Sequence, residues 1–222
     1  MKQNSSPIII SIEANIGAGK STVLQKLQNI LDPTTTKCIL EPIHYWDTFY
    51  DQQTNRSLLE LYYNNPTKYA LPLQTMIYSS LSAILQEAVQ EMDFLPYNNQ
   101  NKMIITERSL QTSCSIFTKM LYNSNIMTQV EYQVYTNCIA NNPAKLDVCI
   151  YLRSEPEVCY ERIRDRNRDG EHKITLEYLR TCHEAHETWI NSLYDTKLYI
   201  IEMKTKTPDK IMAEILDILQ NL

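Results

Sequence analysis

Glycine is scarce in this chain. Three glycines occur in 222 residues, where average usage of about 7% would give about fifteen. A backbone with so few flexible points keeps them where an unusual conformation is needed. Gly17 and Gly19 share one short loop, and Gly170 follows a cluster of arginines. No glycine has an aspartate three residues before it, which disfavours the D-x-x-G switch of a GTPase. Long apolar runs are also missing: no stretch approaches the ~20 residues of a membrane-spanning helix. The six cysteines (Cys38, Cys114, Cys138, Cys149, Cys159 and Cys182) contain no C-x-x-C pair and read as reduced core thiols in a cytosol-like compartment. A long basic run is absent and the formal net charge is −5, which argues against a nucleic-acid partner. Residues 1–6 have neither the apolar core of a secretory signal nor the Arg-rich character of a transit peptide, so a cytoplasmic location without membrane attachment is expected. With 43% hydrophobic residues the length suits one compact domain, residues 1–222.

What is present is organised around residues 7–25, PIIISIEANIGAGKSTVLQ. Ile8, Ile9, Ile10 and Ile12 form a short β-branched run of the kind found in a parallel strand buried on both faces. The loop that follows, Gly17-Ala18-Gly19-Lys20-Ser21-Thr22, has the composition of a phosphate-binding P-loop. Its glycines let backbone N–H groups turn inward, the next helix N-terminus adds partial positive charge, Lys20 adds a full one, and Ser21 offers a hydroxyl to Mg²⁺. Asn15 and Ile16 complete the loop. The pattern G-x-x-x-x-G-K-[ST] has Ala14 in place of its first glycine. Alanine serves there if its φ is negative, whereas a left-handed conformation would cost roughly 1–2 kcal/mol.

A second strand over residues 37–41 is expected to stop at Pro42. In open α/β sheets ligands bind at the C-terminal strand edge, so Glu41 should lie near the phosphate loop, with Trp46 as an aromatic wall. Residues 57–63 and 68–92 carry helical patterns divided by Asn64-Asn65-Pro66. Within the second, Leu73, Ile77 and Leu81 recur at i, i+4 and i+8 beside Gln74. That is sufficient as a core stripe, and it is also how an amide would be placed to read a nucleobase edge. The turn-rich segment 96–100 precedes a third strand, 102–106, which delivers Glu107-Arg108-Ser109 to the same sheet edge. Helical segments at 110–121 and 127–141 lead to a strand at 147–152. A helix over 156–166 ends in Arg162, Arg164, Arg166 and Arg168. Such a run is usually a solvated face, but next to Asp169-Gly170-Glu171 it resembles a mobile lid that closes on phosphates. His183 and His186 are spaced i, i+3 in the helix over 175–193, which is not the H-E-x-x-H of a zinc site. A last strand (197–202) and helix (208–220) complete five β-α pairings, and right-handed crossovers give an α/β fold with one five-stranded parallel sheet and helices on both faces.

With these pieces placed, the chain resembles the deoxynucleoside kinases of the deoxycytidine, deoxyguanosine and mitochondrial thymidine kinase type. The likeness runs from Ile8 to about Trp189. It consists of the phosphate loop, Glu41-Pro-Ile-His-Tyr-Trp46, the segment from Tyr63 to Gln74, Glu107-Arg108-Ser109, and the lid from Arg162 to Glu171 leading into Leu176-Glu-Tyr178. The resemblance implies a P-loop kinase fold, with ATP and Mg²⁺ as cofactors and a deoxyribonucleoside as acceptor. It implies that Glu41 is the general base on the nucleoside 5′-OH, with Arg108 and Lys20 beside it, and that Trp46 lines the sugar and base pocket. Tyr63 and Glu171 would hold the 3′-OH, Gln74 would pair with the base and Phe117 would stack on it. Arg162, Arg166 and Arg168 would grip the donor phosphates, while Ser21 and Glu107 would hold Mg²⁺. A neutral hydroxyl needs a carboxylate to take its proton, whereas the transferring phosphoryl group mainly needs positioning and cations.

Ile77, Leu81 and Ser113 match the family's selectivity positions. Deoxycytidine and deoxyguanosine kinases place an Arg and an Asp at the latter two, so this chain resembles the thymidine-accepting branch, with room for a 5-methyl group. Leu73 stands where a Phe is frequent and Tyr62 where a Met is common. The resemblance also implies a homodimer and inhibition by the end-product triphosphate, in a salvage role. A thymidylate kinase is the nearest alternative, but its acceptor is anionic and a carboxylate at Glu41 would repel it. A non-catalytic nucleotide-binding module would keep Lys20 without needing the Glu41 and Arg108 pair.

Overall fold

The computed structural model describes residues 6–94, 101–140, 145–167 and 171–222. The segment 96–100, Asn141 and the lid residues Arg168, Asp169 and Gly170 lie outside these. In chain order the elements are β1 (Ile8–Glu13), α1 (Lys20–Ile30), β2 (Thr36–Ile39), α2 (Ile43–Trp46), β3 (Tyr50–Asp51), β4 (Arg56–Ser57), α3 (Leu58–Asn64), α4 (Pro66–Phe94) and β5 (Met103–Glu107). A broken helix follows: α5 (Leu110–Thr112), a π-helical turn (Ser113–Thr118) and α6 (Lys119–Asn123). Then come α7 (Gln129–Ala140), β6 (Val148–Arg153), α8 (Pro156–Arg166), a 3₁₀ turn (Glu171–Lys173), α9 (Leu176–Ile190), β7 (Lys197–Glu202) and α10 (Pro208–Gln220).

The five expected strands form one sheet in the order β2-β5-β1-β6-β7, and every pairing in it is parallel. The isoleucine run of β1 takes the middle place, where both faces are covered. Strand alternation divides its side chains. Ile10 and Ile12 join Ile105, Ile150, Leu24 of α1 and Ile215 of α10 in one cluster. On the other face Ile39 and Ile104 pack with Trp46, Leu81 and Leu85, while Cys149 and Tyr151 pack with Ile116, Trp189 and Ile190. Ser11 and Glu13 of β1 alternate with Ile10 and Ile12 and are in register with Cys149 and Tyr151. Parallel pairing brings the loops after β1, β2 and β5 out at one edge, which is what places the site.

The structure shifts several expected boundaries. β2 ends at Ile39, so Glu41 stands on the loop beyond the strand, and its N–H turns to Glu107 Oε2 at 3.4 Å instead of continuing a ladder. Pro66 starts α4 rather than interrupting it, because proline at the first helical position loses no needed N–H. Asn65 Oδ1 caps that end by accepting from the Lys68 N–H at 3.2 Å. The hairpin of β3 and β4 has two residues per strand, too short for any periodicity, and is held by Asp51 Oδ1 accepting from the Gln53 and Thr54 N–H groups at 3.0 and 2.8 Å. It feeds a capping box at α3: the Ser57 hydroxyl accepts from the Glu60 N–H at 3.3 Å and Glu60 Oε2 accepts from the Ser57 N–H at 2.8 Å. Ser57→Ala is expected to cost about 1 kcal/mol. Circular dichroism melting should show a midpoint about 2–4 °C lower for a chain of this size.

Candidate active site

The phosphate loop is shaped by its two glycines, with φ of 80° at Gly17 and 98° at Gly19. Positive φ among the described non-glycine residues is confined to Asn55, Arg108, Asn125 and Asn167. Ala14 therefore takes the place of the missing glycine without left-handed strain, and it is fully buried. Asn15 ties the loop to α9 through Nδ2, which donates to the Leu179 carbonyl at 2.8 Å, and its Oδ1 accepts from the Ile16 N–H at 2.8 Å. Ala18 is buried, and its carbonyl accepts from Arg162 Nη1 at 3.1 Å. Lys20 Nζ donates to the Ala14 and Asn15 carbonyls at 3.2 and 3.0 Å. Burial, and then the neighbouring Arg108, push the Lys20 ammonium down to about 8, while Glu41, Glu107 and Glu13 pull it back up. Anionic phosphates at this loop would favour its charged form in the same way. Thr22 points outward and is exposed.

Glu41 and Arg108 meet beside this loop. Arg108 Nε donates to Glu41 Oε1 at 2.9 Å, and its Nη1 donates to the Ala14 carbonyl at 3.1 Å. One guanidinium thus holds both the carboxylate and the phosphate loop. Burial raises the Glu41 carboxyl above its ordinary range, the Arg108 charge opposes that, and Glu107 adds to it. A raised carboxyl at a pocket edge suits a group that takes and releases a proton. Ser21 Oγ donates to Glu107 Oε1 at 2.6 Å. Ser21, Glu41 and Glu107 line a cleft of about 540 Å³ together with Ile43, Ser57 and Glu60. The Ser21 hydroxyl and the Glu107 carboxylate are hard oxygen donors already in contact, and such a pair fits Mg²⁺, which fills its remaining positions with water and phosphate oxygens.

The expected pocket residues lie on α2, α4 and the π turn. Trp46 is 5% exposed and its Nε1 donates to the Ser80 hydroxyl at 2.9 Å, which sets the ring against α4. Leu73, Gln74, Leu81 and Ser113 are buried and Ile77 is half-buried. Gln74 Oε1 accepts from Thr118 Oγ1 at 3.4 Å, and Thr118 Oγ1 also donates to the Ser113 carbonyl at 2.8 Å. The Thr118 hydroxyl thereby connects Gln74 to Ser113 at the start of the π turn. π-Bulges of this sort recur at functional sites. The Arg108 guanidinium carbon lies 4.7 Å from the centre of the Phe117 ring, so the π turn is in contact with the Glu41 and Arg108 pair. Ile77 and Leu81 belong to the apolar cluster of α4.

On the lid side, Arg166 and Glu171 are paired with each other: Arg166 Nη2 donates to Oε1 and Oε2, both at 2.8 Å. The sequence assigned these two to different ligands, and five residues of separation gave no sign that they touch. Lys173 Nζ reaches the Tyr63 carbonyl at 3.4 Å and also Asn64 Oδ1, so the chain after the lid is tied to the end of α3. Arg168 lies outside the described residues. Sequence reasoning passed over Ser80, Thr118, Lys173 and Glu13. Ser80 and Thr118 carry no local signal, since a hydroxyl on a helix is ordinary. Glu13 had one: an acid at the end of the apolar run IIISIE.

The family model for deoxynucleoside kinase matches residues 10–220. Mitochondrial thymidine kinase 2 of Homo sapiens is 30% identical over 186 residues, covering 82% of this chain and 64% of that protein. Deoxycytidine kinase 2 of Gallus gallus is 31% identical over 198 residues, covering 82% of this chain and 73% of that protein. The thymidine kinase of Ictalurid herpesvirus 1 is 28% identical over 197 residues, covering 86% and 77% respectively. The chain spans less than two thirds of the length of the human protein. With the match extending over nearly the whole chain and taking in the phosphate loop, the carboxylate pair and the lid, this chain belongs to the deoxynucleoside kinase family.

Proposed function

We propose that the chain, acting as a single domain over residues 1–222, transfers the γ-phosphoryl group of ATP to the 5′-OH of a deoxyribonucleoside. The observation that carries this is the Glu41 carboxylate held by Arg108 Nε at 2.9 Å, on the same guanidinium that grips the phosphate loop. Glu41 takes the proton of the 5′-OH as its oxygen bonds to the γ-phosphorus, and the bond from that phosphorus to the bridging oxygen breaks, leaving ADP. Lys20, Arg162, Arg166 and Arg168 steady the phosphates, since phosphoryl transfer gains most from positioning and cationic contacts. Mg²⁺, held by Ser21 and Glu107, would neutralise charge on the phosphate oxygens. Trp46, Gln74 and Phe117 would enclose the base, with Tyr63 and Glu171 on the 3′-OH.

Thymidine and deoxycytidine are the proposed acceptors and purines weaker ones, because Leu81 and Ser113 place apolar and small groups where an Arg and an Asp would otherwise stand. The names of the relatives, thymidine and deoxycytidine kinases, support the same class. The proposed setting is nucleotide salvage in the cytoplasm. No helix among the described residues is long and apolar enough to cross a membrane. A homodimer and inhibition by the end-product triphosphate are part of this reading, and exposed Val130 and Val134 on α7, at 68% and 52%, suit a face that meets a second copy.

The test is incubation with labelled ATP and Mg²⁺ against thymidine, deoxycytidine, deoxyadenosine, deoxyguanosine and thymidylate in competition. Label should pass to the two pyrimidine nucleosides first. A strong purine preference would overturn the specificity, and transfer to thymidylate alone would make the chain a monophosphate kinase.

A further inference from the structure

Glu13 is a charged side chain with 0% exposure at the end of the central strand. Burying a lone carboxylate costs several kcal/mol unless something offsets it, so its partners show what it is kept for. Glu13 Oε1 accepts from the Ser109 N–H at 2.7 Å, while Oε2 has no hydrogen-bond partner among the described residues. What this carboxylate fixes, it therefore fixes through Ser109. The residue before Ser109 is Arg108, whose φ of 66° is a left-handed conformation costing about 1–3 kcal/mol for a non-glycine residue. Arg108 donates its own N–H to the Ile12 carbonyl at 3.1 Å. Two consecutive N–H groups of the strained turn are thus pinned by two consecutive residues of β1. From that turn the Arg108 side chain reaches back to the Ala14 carbonyl and forward to Glu41.

We propose that Glu13 is a positioning residue for phosphoryl transfer: by accepting from the Ser109 N–H it holds Arg108 in the left-handed turn that aims its guanidinium at Glu41 and the phosphate loop. The role needs an acceptor oxygen at Oε1 and a fixed Arg108. This inference rests on the kinase reading above.

The experiment measures thymidine phosphorylation, with kcat and KM for ATP, in the full chain and in Glu13→Ala, Glu13→Gln, Arg108→Ala and the Glu13→Ala/Arg108→Ala double variant. Glu13→Ala should lower kcat on the order of 10- to 100-fold, the size of effect that follows from misplacing a reacting group by about 1 Å. KM for ATP should stay within about threefold, because the loop keeps its ties through Asn15 and Lys20 when Arg108 shifts. Glu13→Gln keeps an oxygen for the Ser109 N–H and should retain kcat within about threefold. In the Arg108→Ala background the Glu13→Ala change should cost less than about threefold, since two residues acting through one path are not additive. A Glu13→Gln protein as slow as Glu13→Ala, or a full penalty persisting without Arg108, would overturn the proposal. If Glu13→Ala fails to fold, the Glu13→Gln result decides in the same two directions. A wild-type protein that transfers no label refutes the kinase reading itself and the proposal with it, which separates that failure from one confined to Glu13.

Discussion

A Glu41→Gln protein is expected to phosphorylate thymidine about 10²-fold or more slowly than the wild type, the usual loss when a general base is removed. The substitution keeps the shape of the side chain and leaves an oxygen for the Arg108 Nε–H, which lies 2.9 Å from Glu41 Oε1. It removes the capacity to accept a proton. Melting should stay close to that of the wild type, because the amide oxygen can still accept from Arg108 Nε and Arg108 Nη1 keeps its bond to the Ala14 carbonyl. KM for ATP should also change little, since the loop contacts of Lys20 and Arg162 are untouched. Steady-state assays with labelled ATP measure all of this except the melting. Turnover equal to the wild type would remove Glu41 from the chemistry and leave Arg108 holding a carboxylate for structural reasons alone.

The second large effect is expected at Gly17. A Cβ there would lie 2.6 Å from the Cys159 carbonyl oxygen and 2.8 Å from Ile163 Cγ1. One of these is backbone of α8 and cannot yield by rotating. The φ of 80° adds roughly 1–2 kcal/mol for any L side chain. Gly17→Ala must therefore move either the loop or α8, and a total cost of about 2–4 kcal/mol follows from overpacking and strain together. Moving the loop also displaces the N–H groups that would face the phosphates, so ATP affinity should fall with stability. Gly19 offers the contrast. Its nearest neighbour to an added Cβ is Arg162 Nη1 at 4.0 Å, and only the left-handed φ is penalised. Thermal melting and ATP binding of the two alanine variants should rank Gly17 well below Gly19. A Gly17→Ala protein with the stability of the Gly19→Ala protein would show that α8 gives way freely.

The centre of the sheet was readable because β1 and β5 are β-branched runs ending in a glutamate, and the loop because glycine is so rare that Gly17 and Gly19 identify themselves. The gathering of Lys20, Glu41, Glu107 and Arg108 followed from parallel pairing, which brings the ends of β1, β2 and β5 to one side. Features set by how separate elements and turns are placed were not readable. The Trp46 to Ser80 bond joins α2 to α4 across a separation that no pattern encodes, and the ion pair of Arg166 with Glu171 depends on how the chain turns after α8. The hairpin of β3 and β4 escaped because two residues per strand fall below any periodicity. Ala14 was ambiguous in sequence because its fitness turns on one backbone angle.

The π turn of Ser113–Thr118 has a consequence for how this pocket could diverge. It holds one residue more than an α turn would, so deleting a single residue there would relax the segment to ordinary helix, leaving α6 beyond it in place and re-aiming only the side chains of the turn itself. Phe117 would swing away from Arg108, and Thr118 would leave both Gln74 and the Ser113 carbonyl. The ties of Phe117 and Thr118 are thus exposed to a length change as much as to a change of side chain, and one codon lost at this point would rewrite three contacts together.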